Sequence, residues 1–117
     1  MMARASIRST APPRAGTVVA LDRAIIQRAL RRRQRYKYVK PRVECEGQGW
    51  KIVSPNCSRS VDPQGGEIEI AWLLRTPQAW LLHARDHARR VWVPRAAGDL
   101  GSLLSLLCED PKREFWQ

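Results

Sequence analysis

From Thr17 onward, apolar residues recur at helical spacing. Val18, Leu21, Ile25 and Ala29 form one stripe, with Ile26 and Leu30 beside it. Thr17 is placed to cap this segment, and Asp22 sits early, where the helix dipole favours an anion. Arg31, Arg32, Arg33 and Arg35 fall in its last turns, where cations face open carbonyls. The pattern predicts a helix over about 18–34. The period then drops to two. Val43 and Cys45 alternate with Arg42, Glu44 and Glu46, and a glycine-bearing turn leads to Trp50, Ile52 and Ser54. This predicts a hairpin with strands near 38–46 and 50–54, with Pro41 at an edge or a bulge because it cannot donate to a ladder.

Alternation resumes in EIEIAWLL, where Ile68, Ile70, Trp72 and Leu74 are expected on one face. RTPQ turns the chain into WLLHAR, with Trp80, Leu82 and Ala84 opposite Leu81, His83 and Arg85. DHARR turns it again into VWVP. Asp99 can cap a closing helix whose Leu100, Leu103, Leu104 and Leu107 make an apolar stripe, and Pro111 ends it. Phe115 and Trp116 are expected to fold back onto the sheet, because an exposed pair would leave much apolar area in water. The fold class is therefore α+β: an antiparallel meander of about five strands, flanked by a basic N-terminal helix and a Leu-rich C-terminal helix. Residues 1–16 hold too little apolar surface to offset ordering entropy and read as a disordered tail, leaving one domain over 17–117.

Charge changes the picture. The 117 residues carry a net charge of +10, but it is unevenly placed. Residues 1–42 hold twelve basic side chains against the single acid Asp22, whereas 43–117 hold nine basic and ten acidic. A near-neutral domain thus carries a cationic front, which attracts nucleic acid, acidic lipid or an acidic protein patch, or is simply a solvated basic helix. The densest stretch is RALRRRQRYKYVKPR, in which Arg28, Arg31, Arg32, Arg33, Arg35, Lys37, Lys40 and Arg42 interleave with Tyr36 and Tyr38. Guanidinium forks on phosphates and tyrosine faces on bases are what backbone-tracking binding uses. No helix-turn-helix, zinc-finger or RNA-binding signature accompanies the stretch, so low sequence specificity is expected.

No segment approaches the ~20 apolar residues of a membrane span. The first sixteen residues have the Arg, Ser and Ala bias of a transit peptide, but Pro12-Pro13 argues against an amphipathic targeting helix. Cys45, Cys57 and Cys108 are odd in number and fit no disulfide or zinc spacing, which suits reduced thiols and a cytoplasmic location.

Catalytic and metal chemistry find weaker support. Cys57 lies in the long connection Ser54–Gly66 near Arg59, with His83 or His87 as a conceivable base. Its spacing to Arg59 is not that of a phosphate-cradling cysteine enzyme, and an inert loop thiol explains it as well. His83 and His87 stand four apart, but on a strand and its turn, where extended chain separates them by about 13 Å. Two surface histidines are the plainer reading, and no cofactor is implied. Asp62-Pro63 and Gly65-Gly66 are turn residues. Among five tryptophans, Trp50, Trp72 and Trp80 are expected in the core, and Trp92 lies near Arg89, Arg90 and Arg95.

Four pieces resemble a family of short bacterial proteins classed as a domain of unknown function. They are VECEG, the Asp62-Pro63 pair, WLLHARDHARRVW and the ending EDPKREFW. In the third, Trp80, Leu82, Arg85, Asp86 and Trp92 fit W-x-L-x-x-R-D-x5-W. The resemblance covers about 43–117 and implies a fold type, with no activity attached. The leading expectation is a small, non-catalytic binding protein that meets nucleic acid or another polyanion through Arg28–Arg42. Its alternatives are a protein–protein interaction module using the Trp-bearing sheet, and an enzyme or metal site around Cys57.

Overall fold

The computed structural model describes residues 12–56 and 66–117, with the backbone alone for 12–20. The chain runs α1 (Pro12–Leu30), β1 (Arg42–Glu46), β2 (Gly49–Pro55), β3 (Glu67–Arg75), β4 (Trp80–Asp86), β5 (Val91–Gly98) and α2 (Leu100–Glu109). The five strands pair in sequence order, each antiparallel to the next. The expected α+β meander with a helix at each end is thus the observed fold.

The boundaries of α1 differ from the sequence pattern. The helix starts at Pro12, so Thr17 lies inside it and is not its cap. Proline suits a first turn, whose amide hydrogens have no intrahelical partner. The helix ends at Leu30, not near residue 34. The amides of Arg31, Arg32 and Arg33 reach back three residues, to Arg28, Ala29 and Leu30, so the last turn tightens. Strand β1 then begins at Arg42, and residues 31–41 form a loop where the pattern had placed the strand's first residues. Pro41 immediately precedes this edge strand.

One face of the sheet carries the core. Val43, Trp50, Ile52, Ile70, Ala71, Leu73, Leu82 and Ala84 are buried together with Ile26, Ala29 and Leu30 of α1 and Leu103, Leu104 and Leu107 of α2. Asp99 caps α2 by accepting the Ser102 amide at 2.9 Å. Phe115 and Trp116 fold back into this core, as their size demands.

The opposite face holds Glu44, Lys51, Trp72 and His83, each paired across the ladder with the next. Trp72 overturns the expected face of β3. The ladder between β2 and β3 shifts at Ile52/Val53, so Ile70 is an extra residue. Ile68 and Ile70 face the core, but beyond the bulge Ala71 and Leu73 do so instead. A single inserted residue reverses the parity of every side chain after it. Trp72 therefore stacks on His83 at 4.7 Å and on Trp92 at 6.0 Å, while its indole donates to the Glu46 carbonyl. His83 is buried, contrary to the surface position expected, with Nδ1 3.1 Å from the Trp72 carbonyl oxygen. A second shift, at Leu82/His83, accommodates Pro94 in edge strand β5.

Candidate nucleic-acid interface

The loop 31–41 is built by its own basic residues. The Arg33 guanidinium donates to the carbonyls of Leu30 (2.8 Å), Tyr36 (2.7 Å) and Val39. It thereby satisfies the C-terminal carbonyl of α1 and closes the loop around one charge. The same guanidinium lies 5.6 Å over the Trp116 ring. Tyr36 takes a left-handed backbone (φ 59°), packs 5.5 Å from Trp116 and donates its hydroxyl to a main-chain oxygen of Gln117 at 2.5 Å. The Gln34 amide donates to the Cys108 carbonyl at 3.0 Å.

Asp110 anchors the other side. It caps α2 in the left-handed region (φ 43°) and is fully buried. Its carboxylate accepts the amides of Glu114 (2.7 Å), Phe115 (3.2 Å) and Trp116 (2.9 Å). Arg35 places Nε 3.9 Å from the same carboxylate. This explains EDPKREFW in physical terms: the aspartate is a buried anion around which the chain wraps, delivering Phe115 and Trp116 to the core.

Of the ten residues expected at the interface, four are therefore spent inside the molecule. Arg33 and Tyr36 shape the loop, Arg35 faces Asp110, and Arg42 is paired with Glu44 and Glu67. The last pair keeps the Arg42 charge more firmly held than usual, chiefly through Glu67. Tyr36 is a loop strut and not a platform for a base. The remaining six, Arg28, Arg31, Arg32, Lys37, Tyr38 and Lys40, are exposed, Tyr38 completely. Among the described residues no carboxylate lies within 4 Å of any of these five cations.

The reason lies in where the acids are engaged. Lys51 holds Glu46 (3.3 Å) and Glu69 (3.2 Å), and Arg85 holds Glu69 from the other side (3.0 Å). Arg75 takes Asp22 at 2.9 Å, and Arg95 takes Glu114 at 3.3 Å. Cations of the sheet thus take up these acids, the Asp22 of α1 included, and leave the α1–loop surface uncompensated. Arg31 and Lys40 border a cavity of about 250 Å³ with Gln27, Leu30, Val39 and Pro41. Gln27, in the last turn of α1 and four residues before Arg31, was not singled out from the sequence.

Elsewhere, a cavity of about 370 Å³ lies at the β4–β5 turn, lined by Arg85, Asp86, His87, Arg95 and Glu114 among others. Asp86 Oδ1 accepts the Arg89 amide at 3.0 Å, and Arg90 adopts φ 60°, so the charged turn closes on itself. His87 Nε2 is buried without a hydrogen-bond partner; burial, then the Arg85 charge, pushes its pKa down. Arg85, 4.9 Å over the Trp92 ring, is the cation that meets this tryptophan. Among the described residues, no three His, Cys, Asp or Glu side chains come together in a way that could hold a metal ion. Cys57, Arg59 and Asp62 lie outside the described residues. No described helix is long and apolar enough to cross a membrane.

Residues 14–117 match the model of a family described as Domain of unknown function (DUF3024). The chain belongs to the DUF3024 family. The match takes in α1 and the cationic loop along with the sheet, whereas the resembling motifs began only at residue 43. No curated protein matches the chain, and no solved structure does.

Proposed function

We propose that this DUF3024 protein is a non-catalytic binding protein of the cytoplasm that holds a nucleic-acid phosphate backbone against the end of α1 and the loop 31–41. The observation that carries this is the cluster of Arg28, Arg31, Arg32, Lys37 and Lys40, exposed and without a carboxylate partner among the described residues. Such a cluster attracts phosphates at a distance and releases their counterions on contact. Tyr38, fully exposed between Lys37 and Lys40 in the chain, offers one ring on which a base can stack. Contacts of this kind position a strand without reading base edges, so sequence preference should be weak.

A salt titration with a fluorescent oligonucleotide tests the proposal. Five phosphate contacts should give a log–log slope of about −3.5 on a single strand and about −4.5 on a duplex. Lys37→Ala and Arg31→Ala should each flatten it by about 0.7 to 0.9. Binding that ignores ionic strength, or whose salt slope is unchanged by loss of both side chains, rules the proposal out.

A further inference from the structure

Beside the cationic surface, α1 and α2 enclose a groove of about 540 Å³ that phosphate binding does not explain. Its floor is Ala29 and Leu104, both buried. Its walls are Leu21 and Ile25, which are 58% and 48% exposed, and its other side is opened by Gly101, which has no side chain. Arg28, also lining it, follows Ile25 on the next turn of α1, and Arg32 lines it from just past the helix end. The groove therefore changes from apolar to cationic along its length. Aliphatic surface occupies the end near Leu21; Arg28 stands about 10 Å along the axis at 1.5 Å per residue, with Arg32 beyond it, both without a carboxylate partner among the described residues.

We infer that this groove binds a free long-chain carboxylate, with its chain against Leu21, Ile25 and Leu104 and its head group on Arg28 and Arg32. The volume lies in the range of small-ligand pockets, roughly 300–1,000 Å³, which are mostly apolar with a few placed polar groups. The charge fits as well. An anion at the arginine end meets two cations that no carboxylate of the described residues occupies. A cationic or neutral apolar ligand would leave those charges unused. An isologous second copy on this face would bring the same arginines together. A nucleic-acid backbone uses the arginines and leaves Leu21 and Ile25 in water.

Calorimetric titration of the full chain with laurate, kept below its micelle concentration, tests the assignment. Saturable binding of one laurate per chain is expected. Butyrate, which lacks the chain, and dodecyltrimethylammonium, which reverses the head charge, should give no saturable heat at the same concentrations. Ile25→Ser changes an exposed side chain without altering charge. It should weaken laurate at least fivefold while leaving the melting temperature and oligonucleotide affinity unchanged. The double variant Arg28→Ala and Arg32→Ala should weaken both ligands. Absence of saturable laurate binding, equal binding of the cationic amphiphile, or an Ile25→Ser protein that binds laurate like the wild type overturns the inference. Laurate binding in a protein that ignores oligonucleotides would uphold it and remove the nucleic-acid proposal instead.

Discussion

Replacing Asp110 tests how the chain's ending holds the fold. Its carboxylate is fully buried and accepts three backbone amides, of which those of Phe115 and Trp116 are themselves buried. In Asp110→Ala, the Glu114 amide can turn to water, but the other two lose their acceptor inside the core. Each buried donor left without a partner costs about 1–3 kcal/mol. Alanine also has to adopt the left-handed backbone at φ 43°, which adds about 1–2 kcal/mol. These contributions sum to about 3–8 kcal/mol, and with some relaxation around the smaller side chain the expected loss is about 4–5 kcal/mol, a large share of the roughly 5–15 kcal/mol that stabilises a domain. Asp110→Asn keeps one oxygen and tolerates the left-handed region, so it should cost about 2 kcal/mol.

Urea unfolding followed by tryptophan fluorescence and far-UV circular dichroism reads these losses. With a slope of about 2 kcal/mol/M, the midpoint should fall by roughly 2 M for alanine and 1 M for asparagine. A shift below about 0.5 M for alanine would mean that the carboxylate is not what orders the ending. Glu114 donates to Oδ1, Trp116 to Oδ2 and Phe115 to both, so equal shifts for the two variants would mean that the oxygen kept by asparagine holds none of them.

Gly49→Ala should also be costly, because a Cβ there would stand 2.0 Å from the Leu73 carbonyl oxygen of the neighbouring strand. The strands would have to part, and a loss of about 2–4 kcal/mol in the same unfolding assay is expected. Stability should also depend on His87. Its folded pKa is pushed below the ordinary 6.5 by burial and by Arg85, so the unfolded chain takes up a proton more readily. The contribution is full above 6.5 and is lost as pH falls through the folded pKa; unfolding curves across pH 7.5 to 4.5 should show a slope that His87→Gln removes.

Short-range pattern made the meander and both helices legible. Alternation marks a strand wherever one face is buried, and the Asp99 and Pro111 signals delimit α2 within a residue or two. What stayed hidden depends on one-residue events or on distant partners. The bulge at Ile70 leaves no mark in a run of apolar residues, so Trp72 was assigned the wrong face. The end of α1 is held by Arg33, which joins the helix's last carbonyl, of Leu30, to those of Tyr36 and Val39 in a loop that forms only once the helix stops. The basic stretch was legible as a charge but not as two populations, since Arg35 and Arg42 find their carboxylates 75 and 25 positions along the chain, in Asp110 and Glu67. Asp110 itself was not singled out beyond its place in the EDPKREFW ending, because nothing local shows that three amides will converge on it.

The two populations of cations depend on each other. Arg33 and Tyr36 fix the loop against Trp116, and Trp116 is held by Asp110. Arg31, Arg32, Lys37 and Lys40 are carried on that loop, so their backbone is ordered before any partner arrives. Binding then costs less conformational entropy than it would on a free basic tail. Simple electrostatics and this ordering give opposite signs for Asp110→Asn. The substitution adds one unit of positive charge, which alone should tighten the hold on a polyanion. Loosening of Trp116 should instead free the loop and weaken it. If order matters, the variant binds an oligonucleotide more weakly than wild type in spite of its higher charge, at a temperature where both remain folded. Tighter binding would show that the cations act as a diffuse cloud, and that the loop's shape contributes nothing.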